Sequence, residues 1–182
     1  MPDPIDDKDD EAQLVRRARR GQEAAFAELY RRHARAIHAL ALRLTGNPST
    51  AEDITQECFL KMLQFLGGLR DDTPLRPWLK RVAANAAIDR IRRDRRLLAI
   101  EDDDAQPATG PDPLLHAESL GLLRRLSPIE RTVVWLHAME GWSHPDLGRR
   151  FGRSESWSKS IVSRSLSRLR LELDEPHTHD DS

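Results

Sequence analysis

At 182 residues, 38% apolar and 32% charged, the chain holds one ordinary domain or two small ones, each with a small core under a charged surface. Its uncharged stretches, such as that between Arg81 and Asp89, fall far short of the roughly 20 apolar residues of a membrane span, and the acidic opening MPDPIDDKDDE lacks the apolar core of a secretory signal. A lone Cys58 excludes an internal disulfide and fits a reducing compartment, so a soluble, cytoplasmic protein is expected.

In chain order, residues 1–11 carry six acids against one Lys and are expected to stay disordered. Residues 12–96 have a helical pattern throughout. From Phe26 the positions Leu29, Tyr30, Ala34, Ile37, Leu40, Ala41 and Leu44 follow the three-and-four spacing of one buried stripe. Gly46–Asn47–Pro48 ends that helix. Ser49 with Glu52, and Thr50 with Asp53, are overlapping capping-box candidates for a second helix, whose apolar side holds Ile54, Cys58, Met62 and Phe65. Gly67–Gly68 stops it, and Pro74 and Pro77 suit the start of a third helix from about Trp78 to Leu98.

Residues 99–116 combine four successive acids with three Pro and a Gly, the composition of a flexible tether. Helical patterning resumes over 117–126, 128–139, 143–151 and 154–173, and the acidic tail from 174 to 182 is expected to be disordered. No alternating strand pattern occurs. The expected fold is all-α: two small helical domains, over 12–98 and 117–173, joined by a flexible acidic linker.

The net charge of −1 conceals strong segregation. Residues 76–96 carry eight bases against two acids, and 149–170 seven against one, while the three segments around them are acidic. Two basic blocks suggest two meeting places with a polyanion, and two solvated helix faces are the plainer alternative.

Three segments carry candidate chemistry. In AEDITQECFLK, Asp53, Gln56, Glu57 and Leu60 share one helical face, forming either a docking stripe for a partner rich in Arg or Lys or an ordinary solvated face. In LRPWLKRVAANAAIDRIRR, Leu79, Ala83, Ala87 and Ile91 make a small-residue face that another helix can approach closely. On the far side Arg81, Asn85, Asp89, Arg92 and Arg96 line up, joining guanidiniums suited to phosphates with an amide and a carboxylate suited to base edges.

The third segment is a helix-turn-helix pattern, with an amphipathic surface hairpin as its alternative. Ser143 with Asp146 caps one helix, Gly152 turns, and Ser154 caps the next. There Val162, Leu166, Leu169 and Leu173 form an apolar stripe, leaving Lys159, Ser160, Ser163 and Arg164 for a major groove. Catalytic motifs are absent: there is no Gly-rich phosphate loop, CxxC, HExxH or GxSxG. Asp102–Asp103–Asp104 and His177–Thr178–His179 are better explained as solvated linker and tail than as metal sites, so no enzyme activity, metal or cofactor is expected.

Together these segments resemble the extracytoplasmic-function (ECF) sigma factors, the small group of the sigma-seventy family of bacterial transcription initiation factors. The resemblance covers about residues 12–172. AEDITQECFLK is similar to the core-polymerase-binding segment, RPWLKRVAANAAIDRIRR to the promoter-melting and −10 segment, and LSPIERTVVWLHAMEGWSHPDLGRRFGRSESWSKSIVSRSLSRL to the −35-reading domain.

The resemblance implies that Asp53, Gln56, Glu57 and Leu60 dock on the clamp helices of the polymerase's largest subunit. It places Trp78, Arg81, Asn85, Asp89, Arg92, Arg93 and Arg96 along a single-stranded −10 element, and the loop at about Gly67–Leu75 around a flipped base. Arg149, Ser154, Lys159, Ser160, Ser163 and Arg164 would meet duplex DNA at −35. It further implies an anti-sigma partner, no membrane insertion, and an acidic linker threading toward the RNA exit path. The sequence departs from the family pattern at Leu75, where an aromatic is usual, at Ala83, which loses a cation, and at Trp157, Ser158 and Ile161. Trp157 and Ile161 then fall near the presumed DNA face, where packing on thymine methyls, contact with another protein and a shifted register are alternative accounts. A stand-alone helix-turn-helix regulator is the competing function, and a helical signalling adaptor a third.

Overall fold

The computed structural model describes residues 4–70, 73–98 and 118–174, with side chains over 11–70, 73–96 and 121–171. The expected linker, the acidic tail beyond residue 174, Asp71–Asp72 and the side chain of Leu173 lie outside them. Among the described residues all regular structure is helical, and no helix is long and apolar enough to cross a membrane. The chain divides into two compact units between Ala87 and Ile88.

The first unit begins with α1 (Pro4–Arg19), which starts inside the segment expected to be disordered. Two anchors account for its order: Leu14, Val15 and Ala18 are buried, and the Glu11 carboxylate lies 2.9 Å from the Nε2 of buried His33 on α2 (Glu23–Thr45). Gly21, at φ 81°, breaks the helical run that the sequence pattern shows as continuous.

Helix α2 packs against both α1 and α3 (Pro48–Phe65). Its buried stripe is Ala25, Leu29, His33, Ile37, Leu40, Ala41 and Leu44, each large aliphatic contributing roughly 1.5–3 kcal/mol by leaving water. Tyr30 is not part of that stripe. It is 42% exposed and lays its ring over Phe59, 4.6 Å between centroids, with Phe26 edge-on to the same ring at 6.4 Å.

The start of α3 also differs from expectation. Asn47, not Ser49 or Thr50, is the N-cap: its side chain accepts the Thr50 N–H at 3.0 Å, and Pro48 takes the first helical position. The buried face is Ala51, Ile54, Thr55, Cys58, Phe59 and Met62, whereas Phe65, expected on that side, is 57% exposed. A 3-10 turn, Leu66–Gly68, follows and buries Leu66 in its place.

Helix α4 (Leu75–Leu98) starts three residues earlier than the pattern suggested, because Pro77 is tolerated in a first turn. Leu75, Leu79, Ala83, Ala87 and Ile91 are buried along one side.

The second unit begins within α4 at Ile88 and contains α5 (Glu118–Leu123), α6 (Pro128–Ala138), α7 (His144–Phe151) and α8 (Glu155–Asp174). Leu126, Val134 and Leu169 form a core with Leu122 and Leu123 against it. Helix α6 opens with a reciprocal capping box that sequence reading passed over. Ser127 Oγ accepts the Glu130 N–H at 3.4 Å, and Glu130 Oε2 accepts the Ser127 N–H at 3.0 Å and an Arg168 N–H at 2.9 Å, tying α8 to α6.

Helices α7 and α8 form the helix-turn-helix. Ser143 Oγ accepts the Asp146 N–H at 3.2 Å, and Gly152 turns the chain at φ 66°. Ser154 Oγ accepts the Trp157 N–H at 3.1 Å. Gly148 is fixed by space: a Cβ there would lie 2.8 Å from the Ser154 carbonyl oxygen and 2.9 Å from that of Arg153.

Candidate polymerase and nucleic-acid interfaces

On α3, burial of Ile54, Cys58 and Met62 turns Asp53, Gln56 and Leu60 outward, with Glu57 half-buried beside them. Leu60 is 59% exposed. Glu57 pairs with Lys61 at 2.7 Å, a surface ion pair worth roughly 0–1 kcal/mol and so easily exchanged for a partner's cation. Leu63 and Phe65 extend the exposed apolar edge beyond the expected stripe. Their sequence signal is the surplus of apolar residues at the end of α3, more than one face can bury.

On α4, the alanine-rich side is buried, which leaves Arg81, Asp89, Arg93 and Arg96 exposed and Trp78, Asn85 and Arg92 half-buried along the opposite stripe. Guanidiniums on this stripe flank one amide and one carboxylate at helical spacing. It has the donors to track a phosphate backbone and the groups to hydrogen-bond base edges. In the segment joining α3 to α4, the Leu69 N–H donates to Phe65 O at 3.1 Å and the Thr73 N–H to Arg70 O at 3.0 Å.

On α8, Lys159, Ser160, Ser163 and Arg164 are exposed on one face, and Arg149 of α7 is exposed as well. Lys159 pairs with Glu155 at 2.6 Å, Arg164 Nε donates to Ser160 O at 3.3 Å, and Arg149 pairs with Asp146. Ser154, expected at DNA, spends its hydroxyl on capping α8.

Two residues expected near this face are at least partly withdrawn from it. Ile161 is 7% exposed and belongs to the core, and Trp157 is half-buried with its ring 5.3 Å from Phe151. The apolar stripe shifts accordingly. Ser158 and Ser165 are fully buried beside Ile161, Val162 and Leu169, while Leu166 is exposed. Small serines let α8 approach its neighbours closely, so side-chain size rather than polarity chose the buried side.

The second unit also holds a stacked histidine pair. The rings of His137 (α6) and His144 (α7) lie 4.1 Å apart at 27°, His137 Nδ1 is 2.8 Å from Trp142 O, and His144 Nδ1 is 3.1 Å from Ser158 Oγ. Burial, followed by the nearby His137 and Lys159, holds the His144 ring below its usual range, with Glu155 opposing. Among the described residues no group of three or more His, Cys, Asp or Glu side chains is arranged to hold a metal ion.

A helical bundle with an acidic–apolar stripe and a basic, amide-bearing helix, followed by a helix-turn-helix unit, defines a modular α-helical DNA-binding protein. The sequence matches the Sigma-70 region 2 family over residues 29–97 and the Sigma-70 region 4 family over 120–169. It is 34% identical to the RNA polymerase sigma factor CarQ of Myxococcus xanthus, over 88% of this chain and 96% of that protein. It is 33% identical to the ECF RNA polymerase sigma factor SigM of Mycobacterium tuberculosis, over 87% of this chain and 82% of that one. In fold it resembles the sigma factor RpoE of Bartonella quintana, solved with the anti-sigma factor NepR, at a TM-score of 0.55 and 23% identity over 82% of this chain and 98% of that one. The chain belongs to the sigma-70 family, in its ECF group.

Proposed function

We propose that this sigma factor docks on core RNA polymerase through the α3 stripe, reads a melted −10 strand along α4 and reads duplex DNA at −35 with α8. A role in transcription initiation follows from membership of the family. The observation that best supports the division of labour is that one chain turns three different faces outward. One is acidic with an exposed Leu60, one is basic with Asn85 at its middle, and one is a helix-turn-helix face carrying Lys159 and Arg164.

Each face suits its target. Asp53, Gln56 and Glu57 present acceptors to clamp helices rich in Arg or Lys. Arg81, Asn85, Asp89, Arg92, Arg93 and Arg96, with Trp78 at the start of the row, can hold a strand whose unstacking costs a few kcal/mol. Lys159, Ser160, Ser163 and Arg164 can address phosphates and base edges in a major groove. Sigma factors are not enzymes in general, and we read this chain as non-catalytic, cytoplasmic and held at rest by an anti-sigma partner.

The deciding experiment is equilibrium binding of the protein to bacterial core polymerase, with and without excess nonspecific DNA. Stoichiometric binding that survives competitor is expected. Asp53→Ala and Gln56→Ala should each weaken it by roughly tenfold, about 1.4 kcal/mol, without a change in melting temperature. Lys159→Ala and Arg164→Ala should leave core binding intact and lower transcription from a promoter with its −35 element, but not from one with that element scrambled. Absence of core binding, with direct affinity for a duplex site, would establish a stand-alone regulator instead.

A further inference from the structure

The first turn of α8 carries the largest side chain of that helix, Trp157. The buried residues Ser158, Ile161, Val162, Ser165 and Leu169 form one row along α8. Trp157 lies outside that row. At 100° per residue it stands within about 20° of Arg164, two turns further on, and one turn ahead of Ser160. Both of those residues are exposed on the face expected to meet DNA. Burial of Ser158 and Ile161 fixes the rotation of the helix, so a shifted register does not account for the tryptophan.

The position of the indole is held twice. Ser154 Oγ accepts the Trp157 N–H at 3.1 Å, which anchors the backbone of the first turn. Behind the indole lies the ring of Phe151, itself 7% exposed, at 5.3 Å between centroids and 46° between planes. That contact sets the direction of the ring and leaves its remaining edge to solvent. A ring with two side-chain torsions, already held on one side, loses little further freedom when a ligand covers the other.

A single apolar edge in water is ordinary on a protein surface. Here its surroundings set it apart. Around the turn into α8, Arg149, Arg153, Lys159 and Arg164 are exposed, and Asp146 and Glu155 offset two of them as ion-pair partners of Arg149 and Lys159. The excess of positive charge draws a polyanion to this turn. Residues near the N-terminus of a recognition helix are the ones that reach base edges. The apolar group that a major groove offers there is the 5-methyl of thymine.

We propose that Trp157 is a specificity-determining residue whose outward edge packs on the 5-methyl group of a thymine in the −35 element. This rests on the reading of α8 as the helix in that groove. It adds an apolar contact to a face otherwise read as cationic and hydroxyl-bearing.

The test uses holoenzyme assembled from the full chain and core polymerase, with a promoter fragment that it selects from duplexes randomised over the −35 element. Each thymine of that element is then replaced singly by uracil, which removes the methyl group and keeps every hydrogen-bonding group. Uracil at one position should weaken wild-type binding by about fourfold, the effect of returning one methyl to water. Trp157→Ala should bind the thymine fragment at least as weakly as wild type binds the uracil one, and should bind the two alike. Trp157→Phe, which keeps a smaller ring against Phe151, should retain part of the discrimination.

A merely structural role would lower thermal stability and weaken both fragments equally, leaving the thymine-to-uracil ratio of Trp157→Ala at its wild-type value; that result overturns the proposal. Unchanged promoter affinity in Trp157→Ala overturns it too and leaves the indole to a protein partner. A selected element without thymine, or wild-type indifference to every uracil, overturns it while the −35 reading stands. Indifference to scrambling the whole element removes that reading, and the role of Trp157 with it. If Trp157→Ala does not fold, Trp157→Gln, whose stem can cover Phe151, decides by the same ratio.

Discussion

Helices α4 and α8 are both long, basic and half-buried, yet they separate their two sides by different means. In α4 the buried residues are Leu, Ile and Ala, and the outward stripe is charged or amide-bearing, so polarity and burial agree. In α8 the buried side contains Ser158 and Ser165 at zero exposure, and Leu166 points outward. Close helix approach selects small side chains, and serine is nearly as small as alanine, so hydroxyls enter a core where a polarity pattern does not look for them. The same contrast explains why the buried side of α4 follows the apolar pattern of its sequence, while in α8 Leu166 of the expected apolar stripe is exposed and Ile161 is buried instead.

The largest expected effect falls on the tight crossing that makes α8 what it is. Gly148→Ala puts a Cβ 2.8 Å from a backbone oxygen and should destabilise the helix-turn-helix unit by roughly 1–3 kcal/mol. Hydrogen exchange should show protection lost in α7 and α8, with α2 and α3 unchanged. Ala83→Leu in α4 is the counterpart for the bundle, an overpacking of similar size, and should lower protection in α2 and α3 instead.

A subtler comparison uses the buried hydroxyls. Ser158 Oγ is engaged by His144, whereas Ser165 Oγ has no hydrogen-bond partner among the described residues. Ser165→Ala should therefore be neutral or stabilising by up to about 1 kcal/mol, and Ser158→Ala destabilising by about the same amount. Paired thermal melts check the sign; two changes in the same direction would remove the distinction.

Acid should separate the units by a smaller margin. His144 binds a proton less readily folded than unfolded. The stability it contributes is complete above the usual imidazole value of 6.5 and declines as pH falls below it. Glu11 is held below the usual 4.5 mainly by its hydrogen bond to His33, against the cost of burial, so its contribution persists until pH falls below 4.5 and through the lower folded value. Glu130 follows the same course, because Arg168 and Ser127 outweigh its burial. Between pH 7 and 5 the helix-turn-helix unit should lose protection while the α1–α2 contact holds. His144→Gln should flatten that slope.

By itself the sequence determined the class of fold, the helices and most of the exposed faces, because 3.6-residue periodicity and capping chemistry are local. Asp53, Gln56, Leu60, Arg81, Arg93, Lys159 and Arg164 were legible as outward residues because their helices bury the opposite side. Asn47 displaced Ser49 and Thr50 as the α3 cap, although all three are chemically competent, since only the geometry of the chain entering α3 decides among them. Tyr30, Phe65 and Ile161 were misplaced because each lies at the edge of an apolar stripe, where a small rotation of the helix carries a side chain across the boundary of burial. Non-local pairings were out of reach. Arg19 with Leu66 and Leu69, Glu11 with His33 and Leu75, and Glu130 with Arg168 join residues 22 to 64 positions apart. Only tertiary packing brings such groups within hydrogen-bond reach, because no local pattern records which distant carbonyl a guanidinium will meet.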